Sequence, residues 1–191
     1  MLAASGDVAG RRVLDVGCGD GGHLRALADR GIALGVGLDL SPSMLRAARA
    51  DGARPLRFTR GDASRLPFPP GCFDLVWIVA VLCFVADPAA ALREAARVLR
   101  PGGRLVLGDL GRWSTWAALR RAKGWLGSPT WRGAHFRSAG ELRRLASGAG
   151  LREPRVRGAV YYPPVGVLAR ALEPLDRSPA RLGSLGPRSS C

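Results

Sequence analysis

Lysine is almost missing from this chain of 191 residues: Lys123 stands alone among 29 basic residues, and the rest are arginine. Acid is scarce too, at 15 Asp plus Glu, so the formal net charge is +14 and the sequence pI is near 11.4. Such a balance raises the question of nucleic acid as a partner. In a chain loaded with Ala, Gly and Pro, however, an arginine bias also follows from base composition alone. Long apolar runs are absent as well. The longest, Leu75 to Ala86, has 12 residues, well short of the ~20 that span a bilayer, so no transmembrane helix is expected. The first ten residues lack the basic start and apolar stretch of a secretory signal, and the expected location is cytoplasmic. The four cysteines (Cys18, Cys72, Cys83, Cys191) show neither CxxC nor Cys/His spacing, which argues against a disulfide framework and a zinc site. The first three fall in or beside apolar segments, where a thiol packs as a small hydrophobe. Only two histidines, His23 and His135, are available for proton transfer.

What is present is a hydrophobic content of 47%, enough for one domain with a buried core at this length. Residues 11–110 alternate strand-like and helix-like segments. Arg12 to Val16 is a short apolar run ending in glycines, Gly22 to Asp29 has helical spacing, and Ile32 to Leu40 is a second apolar run. Ser41 is a plausible N-cap, with Pro42 at the first position of a helix running to Ala50. Leu56 to Arg60 and Phe73 to Val81 read as strands, the latter apolar on both faces, as in the middle of a covered sheet. Asp87-Pro88 starts a helix through Leu99, Pro101-Gly102-Gly103 ends it, and Arg104 to Asp109 is a fifth strand. Repeated βα units of this kind imply an α/β, Rossmann-like, doubly wound and mostly parallel sheet of six or seven strands with helices on both faces. Farther on, Ser114 to Trp125 and Gly140 to Gly148 look helical. Leu151 to Tyr162 looks extended, and Val165 to Leu172 could form a last helix. The expected domain spans residues 1–176, and the Ser-, Pro-, Gly- and Arg-rich tail 177–191 is expected to be disordered.

The chemistry concentrates in Val13-Leu14-Asp15-Val16-Gly17-Cys18-Gly19-Asp20-Gly21-Gly22. A strand running into closely spaced glycines and then a helix lets backbone N–H groups approach a ligand. Gly17, Gly19 and Gly22 also fit GxGxxG, so a dinucleotide-binding dehydrogenase stays open on spacing alone. Asp15 tips the balance. A carboxylate on a buried strand is costly without compensation; a pyrophosphate nearby would aggravate it, and a ligand bearing an ammonium group would relieve it. The plainer alternative is a carboxylate held by loop amides. Asp39 ends the second strand, where it could accept both hydroxyls of an adenosine ribose. Asp62 follows the third strand, where an acceptor could meet the exocyclic amine of adenine. Three acids at three successive strand ends converge on one crevice at the carboxyl edge of the sheet.

VLDVGCGDG at 13–21, GVGLDLSPSML at 35–45, RGDASRLPFPPGCFDLVW at 60–77 and RVLRPGGRLVLGDL at 97–110 resemble the successive motifs of class I S-adenosylmethionine-dependent methyltransferases, most closely the small-molecule branch that includes ubiquinone/menaquinone-biosynthesis enzymes. The resemblance implies S-adenosyl-L-methionine as cofactor. Asp15, Gly17, Cys18, Gly19 and Gly21 would wrap its methionine moiety, Asp39 with Leu40 would hold the ribose, Asp62 with Ala63 would bracket the adenine, and Ile78 and Val79 would lie near the sulfonium. Family members usually carry helices ahead of the first strand and a seventh strand slotted in near the end. Here about a dozen residues precede the first strand and residues 182–191 show no strand pattern, so weak stability or weak cofactor binding is expected.

The implied activity is methyl transfer to a small, apolar or aromatic acceptor by in-line displacement. Holding the acceptor in line and excluding water is then the main task, and a base is needed only for an acceptor that is not already acidic. No catalytic residue is singled out: His23 reads as a surface or loop-packing residue, and His135, beside Phe136, is the better candidate of the two. Trp113, Trp116, Trp125 and Trp131 follow the fifth strand, as core or as a lid over an apolar acceptor. The charge divides unevenly. Residues 1–110 hold 14 basic and 11 acidic residues, +3, whereas 111–191 hold 15 and 4, +11. A solvated helical face accounts for this excess, so nucleic acid is not the expected partner. A non-catalytic or truncated cofactor-binding protein and an RNA methyltransferase are the alternatives.

Overall fold

The computed structural model describes residues 2–50 and 55–152. Among them, five strands form one parallel sheet: β1 (Arg12–Val16), β2 (Leu34–Asp39), β3 (Leu56–Arg60), β4 (Phe73–Val79) and β5 (Leu99–Gly108), in the spatial order β3-β2-β1-β4-β5. The chain order reverses beside β1, and the register sets Asp15 between Gly37 on β2 and Trp77 on β4. Both faces are covered. One carries Leu14, Val16, Val76 and Ile78 against α3 (Pro88–Val98); the other carries Val13, Leu75 and Trp77 against α1 (Gly22–Ala28) and Leu45 of α2 (Pro42–Arg49). Burial on both sides explains why the strands read as unbroken apolar runs. Ser41 caps α2 by accepting from the Met44 N–H at 3.4 Å, and Asp87 caps α3 by accepting from Ala90 N–H at 2.9 Å.

Two boundaries differ from expectation for physical reasons. β4 stops at Val79 rather than Val81 because Ala80 turns into the left-handed region at φ +57°, after which Leu82–Phe84 form a 3₁₀ turn. Pro101-Gly102-Gly103 does not separate helix from strand; α3 ends at Val98 and the three residues lie within β5. The ladder pairs Phe73 with Leu99 and resumes at Leu75 with Arg104, so the irregularity accommodates a proline that cannot donate and a glycine at φ +76°.

The segment before β1 is anchored. Leu2–Ser5 form a 3₁₀ turn, the Ser5 hydroxyl accepts from Trp77 Nε1 at 3.0 Å, and the Arg30 guanidinium donates to the carbonyls of Leu2 and Gly6 at 3.0 and 2.6 Å. Beyond β5 come α4 (Thr115–Trp125), the short α5 (Pro129–Arg132), which the sequence pattern did not suggest, and α6 (Ala139–Gly148). α6 packs its Leu142 and Leu145 against the α3 face. Of the extended segment expected from Leu151 to Tyr162 only Leu151 and Arg152 are described, without regular structure; its remainder, the helix over Val165 to Leu172 and the tail 177–191 lie outside the described residues, as does the question of a sixth or seventh strand.

Candidate cofactor site at the carboxyl edge of the sheet

The loop after β1 is held by its own backbone. Gly17 and Cys18 N–H groups both donate to the Leu38 carbonyl, at 2.6 and 3.1 Å, which ties the loop to the end of β2. Its glycines have different reasons to be glycine. Gly17 (φ +73°) presses on Val81, and a Cβ there would lie 2.1 Å from Val81 Cγ2; Gly21 (φ +82°) starts α1, and a Cβ would lie 2.9 Å from the Phe58 ring. Gly19 (φ +55°) has nothing within 4 Å of a Cβ position. Packing therefore dictates two of them, and the third borders open space where a ligand's approach would be the constraint.

Asp15 is 1% exposed, and its Oδ2 is buried without a hydrogen-bond partner. Burial, with the nearby Asp39 charge adding to it, pushes its carboxyl up to about 7. An orphaned carboxylate oxygen is unfavourable in a folded interior, and a cationic donor placed against it would relieve that cost. Asp39 is partly buried and organises the loop: Oδ2 accepts from Gly19 N–H at 2.9 Å and Oδ1 from Ser41 N–H at 2.8 Å. Asp62 lies two residues beyond β3. Its Oδ1 accepts from the Ser64 N–H and hydroxyl, both at 2.8 Å, which holds its carboxyl below the usual range. Cys18 is buried, and desolvation, then Asp15 and Asp39, pushes its thiol up to about 12, so it packs and does not ionise. Leu40 is exposed beside Asp39.

Three of the residues singled out from sequence are placed differently from a simple lining role. Ala63 and Ile78 bury their side chains in the α3-side core, so only their backbone is free to meet a ligand. Val79 is half-buried on the α1 side. His23 is exposed, its ring 5.3 Å from that of Trp77.

Asp109 is not among the acids singled out above, although it carries the same signal, an acid directly after an apolar strand. It follows β5, next to Ala80, whose N–H donates to the Gly108 carbonyl at 2.7 Å. One oxygen accepts from Leu110 N–H at 2.8 Å; Oδ2 is buried and unpartnered, and burial raises the carboxyl's pKa even with Arg137 nearby lowering it. Glu94 and Arg97 were also silent in the sequence. Arg97 donates to Glu94 and to the carbonyls of Phe68 and Leu66, while Glu94 accepts from Leu66 N–H, so α3 clasps the loop that carries Asp62.

On the far side of β5, the expected tryptophan lid takes another form. The Arg120 guanidinium sits over both Trp116 and Trp131, 4.8 and 4.7 Å from the ring centroids, and Trp131 also meets Phe84 and Phe136. Those ring faces are occupied by the protein itself. A cavity of about 380 Å³ lined by Arg112, Arg121, His135 and Arg137 lies nearby, and one of about 480 Å³ lies between α3 and α6. Neither includes the glycine loop. Among the described residues no His, Cys, Asp and Glu cluster could hold a metal ion.

A doubly wound parallel sheet whose strand order reverses beside a glycine loop, with acids at successive strand ends, defines a crevice of the nucleotide-cofactor class. The methyltransferase domain family matches residues 14–107. The chain is 37% identical to a malonyl-[acyl-carrier protein] O-methyltransferase of Dechloromonas aromatica over 191 residues, 96% of this chain and 70% of that one. It is 45% identical to a demethylmenaquinone methyltransferase of Tropheryma whipplei over 106 residues, 53% of this chain and 43% of that one. Among solved structures, an S-adenosylmethionine-dependent methyltransferase of Mesorhizobium loti superimposes with a TM-score of 0.71 at 26% identity, covering 93% of this chain and 91% of that one. This chain belongs to the S-adenosylmethionine-dependent methyltransferases. It spans half or less of several curated relatives that it matches, 39%, 50% and 43% of three of them.

Proposed function

We propose that this protein transfers the methyl group of S-adenosyl-L-methionine to a small-molecule acceptor, with residues 11–110 holding the cofactor and 111–176 shaping the acceptor side, in the cytoplasm. The observation that carries the reading is Asp15 Oδ2, buried and unpartnered just before the glycine loop. The cofactor's ammonium group fits that oxygen, whereas a pyrophosphate would not. Gly17, Cys18, Gly19 and Gly21 would follow the methionine part, with Gly19 as the point of nearest approach. Asp39 and Leu40 would take the ribose. The second oxygen of Asp62 has no hydrogen-bond partner among the described residues and would take the adenine amine, beside the backbone of Ala63. The backbone at Ile78 and the half-buried Val79 would border the reacting end.

When bound, the cofactor supplies a methyl group on a sulfonium, open to in-line attack. The protein's part is to align the acceptor, keep water out and, where the acceptor is an ordinary hydroxyl, take its proton. Asp109 is the buried carboxylate on the acceptor side and its raised pKa suits that last task. Phe84, 46% exposed in the 3₁₀ turn after β4, supports an apolar or aromatic acceptor. The relatives are named for different acceptors, a demethylmenaquinone in one and a malonyl group on a carrier protein in another, so the shared cofactor half carries no acceptor identity.

The test is thermal unfolding with and without S-adenosylmethionine, followed by transfer of labelled methyl groups to a panel of small acceptors. Ligand at about 100 times its Kd stabilises by roughly 2.7 kcal/mol, a rise of about 5–10 °C for a chain of this size. No rise at saturating cofactor overturns the reading. A rise with no turnover on any acceptor assigns the chain to the non-catalytic cofactor binders, and methyl transfer to RNA with steeply salt-dependent binding assigns it to RNA modification.

A further inference from the structure

From Leu110 to Gly140 the chain carries no acid and six basic residues, Arg112, Arg120, Arg121, Lys123, Arg132 and Arg137. The same stretch leaves four large apolar side chains in water: Trp113 is 84% exposed, Trp125 85%, Leu126 87% and Leu119 47%. α4 buries Ala117 and Gly124 toward the rest of the molecule, Ala117 packing with Cys83 and Phe136. Leu119, Ala122 and Leu126, at helical spacings of three and seven, mark out its outer side with Trp125 alongside. Lys123 lies on the same outer arc, and Arg132 of α5 is exposed nearby. Leu119, Trp125 and Leu126, exposed together toward the end of one helix, are the kind of apolar surface that marks an interaction site.

Charge and apolarity together select the partner. A second copy of this chain would bring a half with net charge +11 against the same charge. Nucleic acid answers the arginines but leaves Leu119 and Leu126 unsatisfied. A bilayer with anionic headgroups answers both: tryptophan and leucine enter the interface, and lysine and arginine meet the headgroups. We propose that the outer face of α4, with Leu119, Trp125 and Leu126 as its anchors, docks this protein on an anionic lipid surface. No membrane-crossing helix is involved; among the described residues no helix is long and apolar enough to cross. Through Ala117, which packs with Cys83, α4 lies against the 3₁₀ turn that follows β4. The inference stands without any assumption about methyl transfer.

The experiment is co-sedimentation of the full chain with phosphatidylcholine vesicles, with and without phosphatidylserine, together with tryptophan emission. Expected are partitioning about tenfold or more stronger on the anionic vesicles and a blue shift of emission on binding. Trp125→Ser with Leu126→Ser, both on the surface, loses about tenfold or more of the partitioning while unfolding cooperatively at the wild-type temperature. Lys123→Glu with Arg132→Glu abolishes the preference for phosphatidylserine. Equal binding to neutral and anionic vesicles, or binding unchanged in the Trp125/Leu126 variant, overturns the proposal. So does a lipid-free protein whose Trp125 emission resists quenching by aqueous acrylamide, since another segment then covers the face. A concentration-dependent dimer that disappears in the Trp125/Leu126 variant gives the face to a second copy instead.

Discussion

Gly17 and Gly19 sit two residues apart, share left-handed backbone, and differ in what surrounds them. A methyl group at Gly17 would collide with Val81 at 2.1 Å, and the collision adds to the cost of an alanine at positive φ. Gly17→Ala should therefore lose about 3–5 kcal/mol of stability. At Gly19 the space is open, so only the backbone cost remains, about 1–2 kcal/mol. Chemical denaturation and cofactor titration of both variants separate the two roles. Gly19→Ala is expected to stay folded while losing about tenfold or more in cofactor affinity, the equivalent of ~1.4 kcal/mol. A folded Gly19→Ala with wild-type affinity would move the ligand's nearest approach elsewhere in the loop. Ala80 makes a related point. It holds φ +57° without being glycine, a conformation that costs about 1–2 kcal/mol. The sequence Val79-Ala80-Val81 carries no sign of it, because nothing in an alanine announces a left-handed turn.

At the level of elements, what matters is how a loop between strands is made rigid. The segment from Gly61 to Cys72 carries Asp62 and has no regular structure beyond a turn, yet Arg97 and Glu94 on α3 reach across and take up Leu66 N–H and the carbonyls of Leu66 and Phe68. Arg97→Ala strips the two carbonyl bonds and the ion pair that holds Glu94 in place, all in a partly exposed cluster. It should cost about 1–3 kcal/mol in stability and loosen the adenine end of the site. Isothermal titration with S-adenosylmethionine and with a fragment lacking the adenosine is the discriminating measurement: the affinity for the whole cofactor is expected to fall, that for the fragment to hold. An equal loss for both would mean that the clasp supports the fold generally. The helix starts at Ser41-Pro42 and Asp87-Pro88 were legible because a cap is a local signal, readable from one side chain and the next proline. The clasp was not, since Leu66 and Arg97 are 31 residues apart and meet only once the sheet has formed. For the same reason Pro101-Gly102-Gly103 misled: a break in local propensity says that the ladder is disturbed, and the partner strand decides whether the disturbance is a helix end or a bulge.

Over the whole molecule, Asp15 links the site to stability. Its carboxyl is near 3.8 when unfolded and about 7 when folded without a ligand, so the folded state holds the proton more tightly. Stability from this group is full below about pH 4 and is lost as the pH rises toward 7. Asp15→Asn removes the loss. The variant should unfold about 5 °C or more above the wild type at pH 8, nearly level with it at pH 4, and bind cofactor at least tenfold more weakly. Wild-type affinity should strengthen as the pH rises through about 7, because the ammonium group favours the ionised carboxylate. Melting curves and titrations at these pH values check both slopes, and an Asp15→Asn protein that binds as tightly as the wild type would remove the carboxylate from the site. The alternation of apolar runs and capped helices determined the doubly wound sheet, and the placement of glycines and acids at strand ends determined the class of cofactor, because both are written in local order along the chain. Which acid oxygens are left unpartnered, Asp109 Oδ2 among them, which glycine faces open space, and that Trp116 and Trp131 enclose Arg120 while Trp125 stays in water were decided only by the tertiary structure. Those facts depend on what packs against each side chain from distant parts of the chain, and no local pattern encodes it.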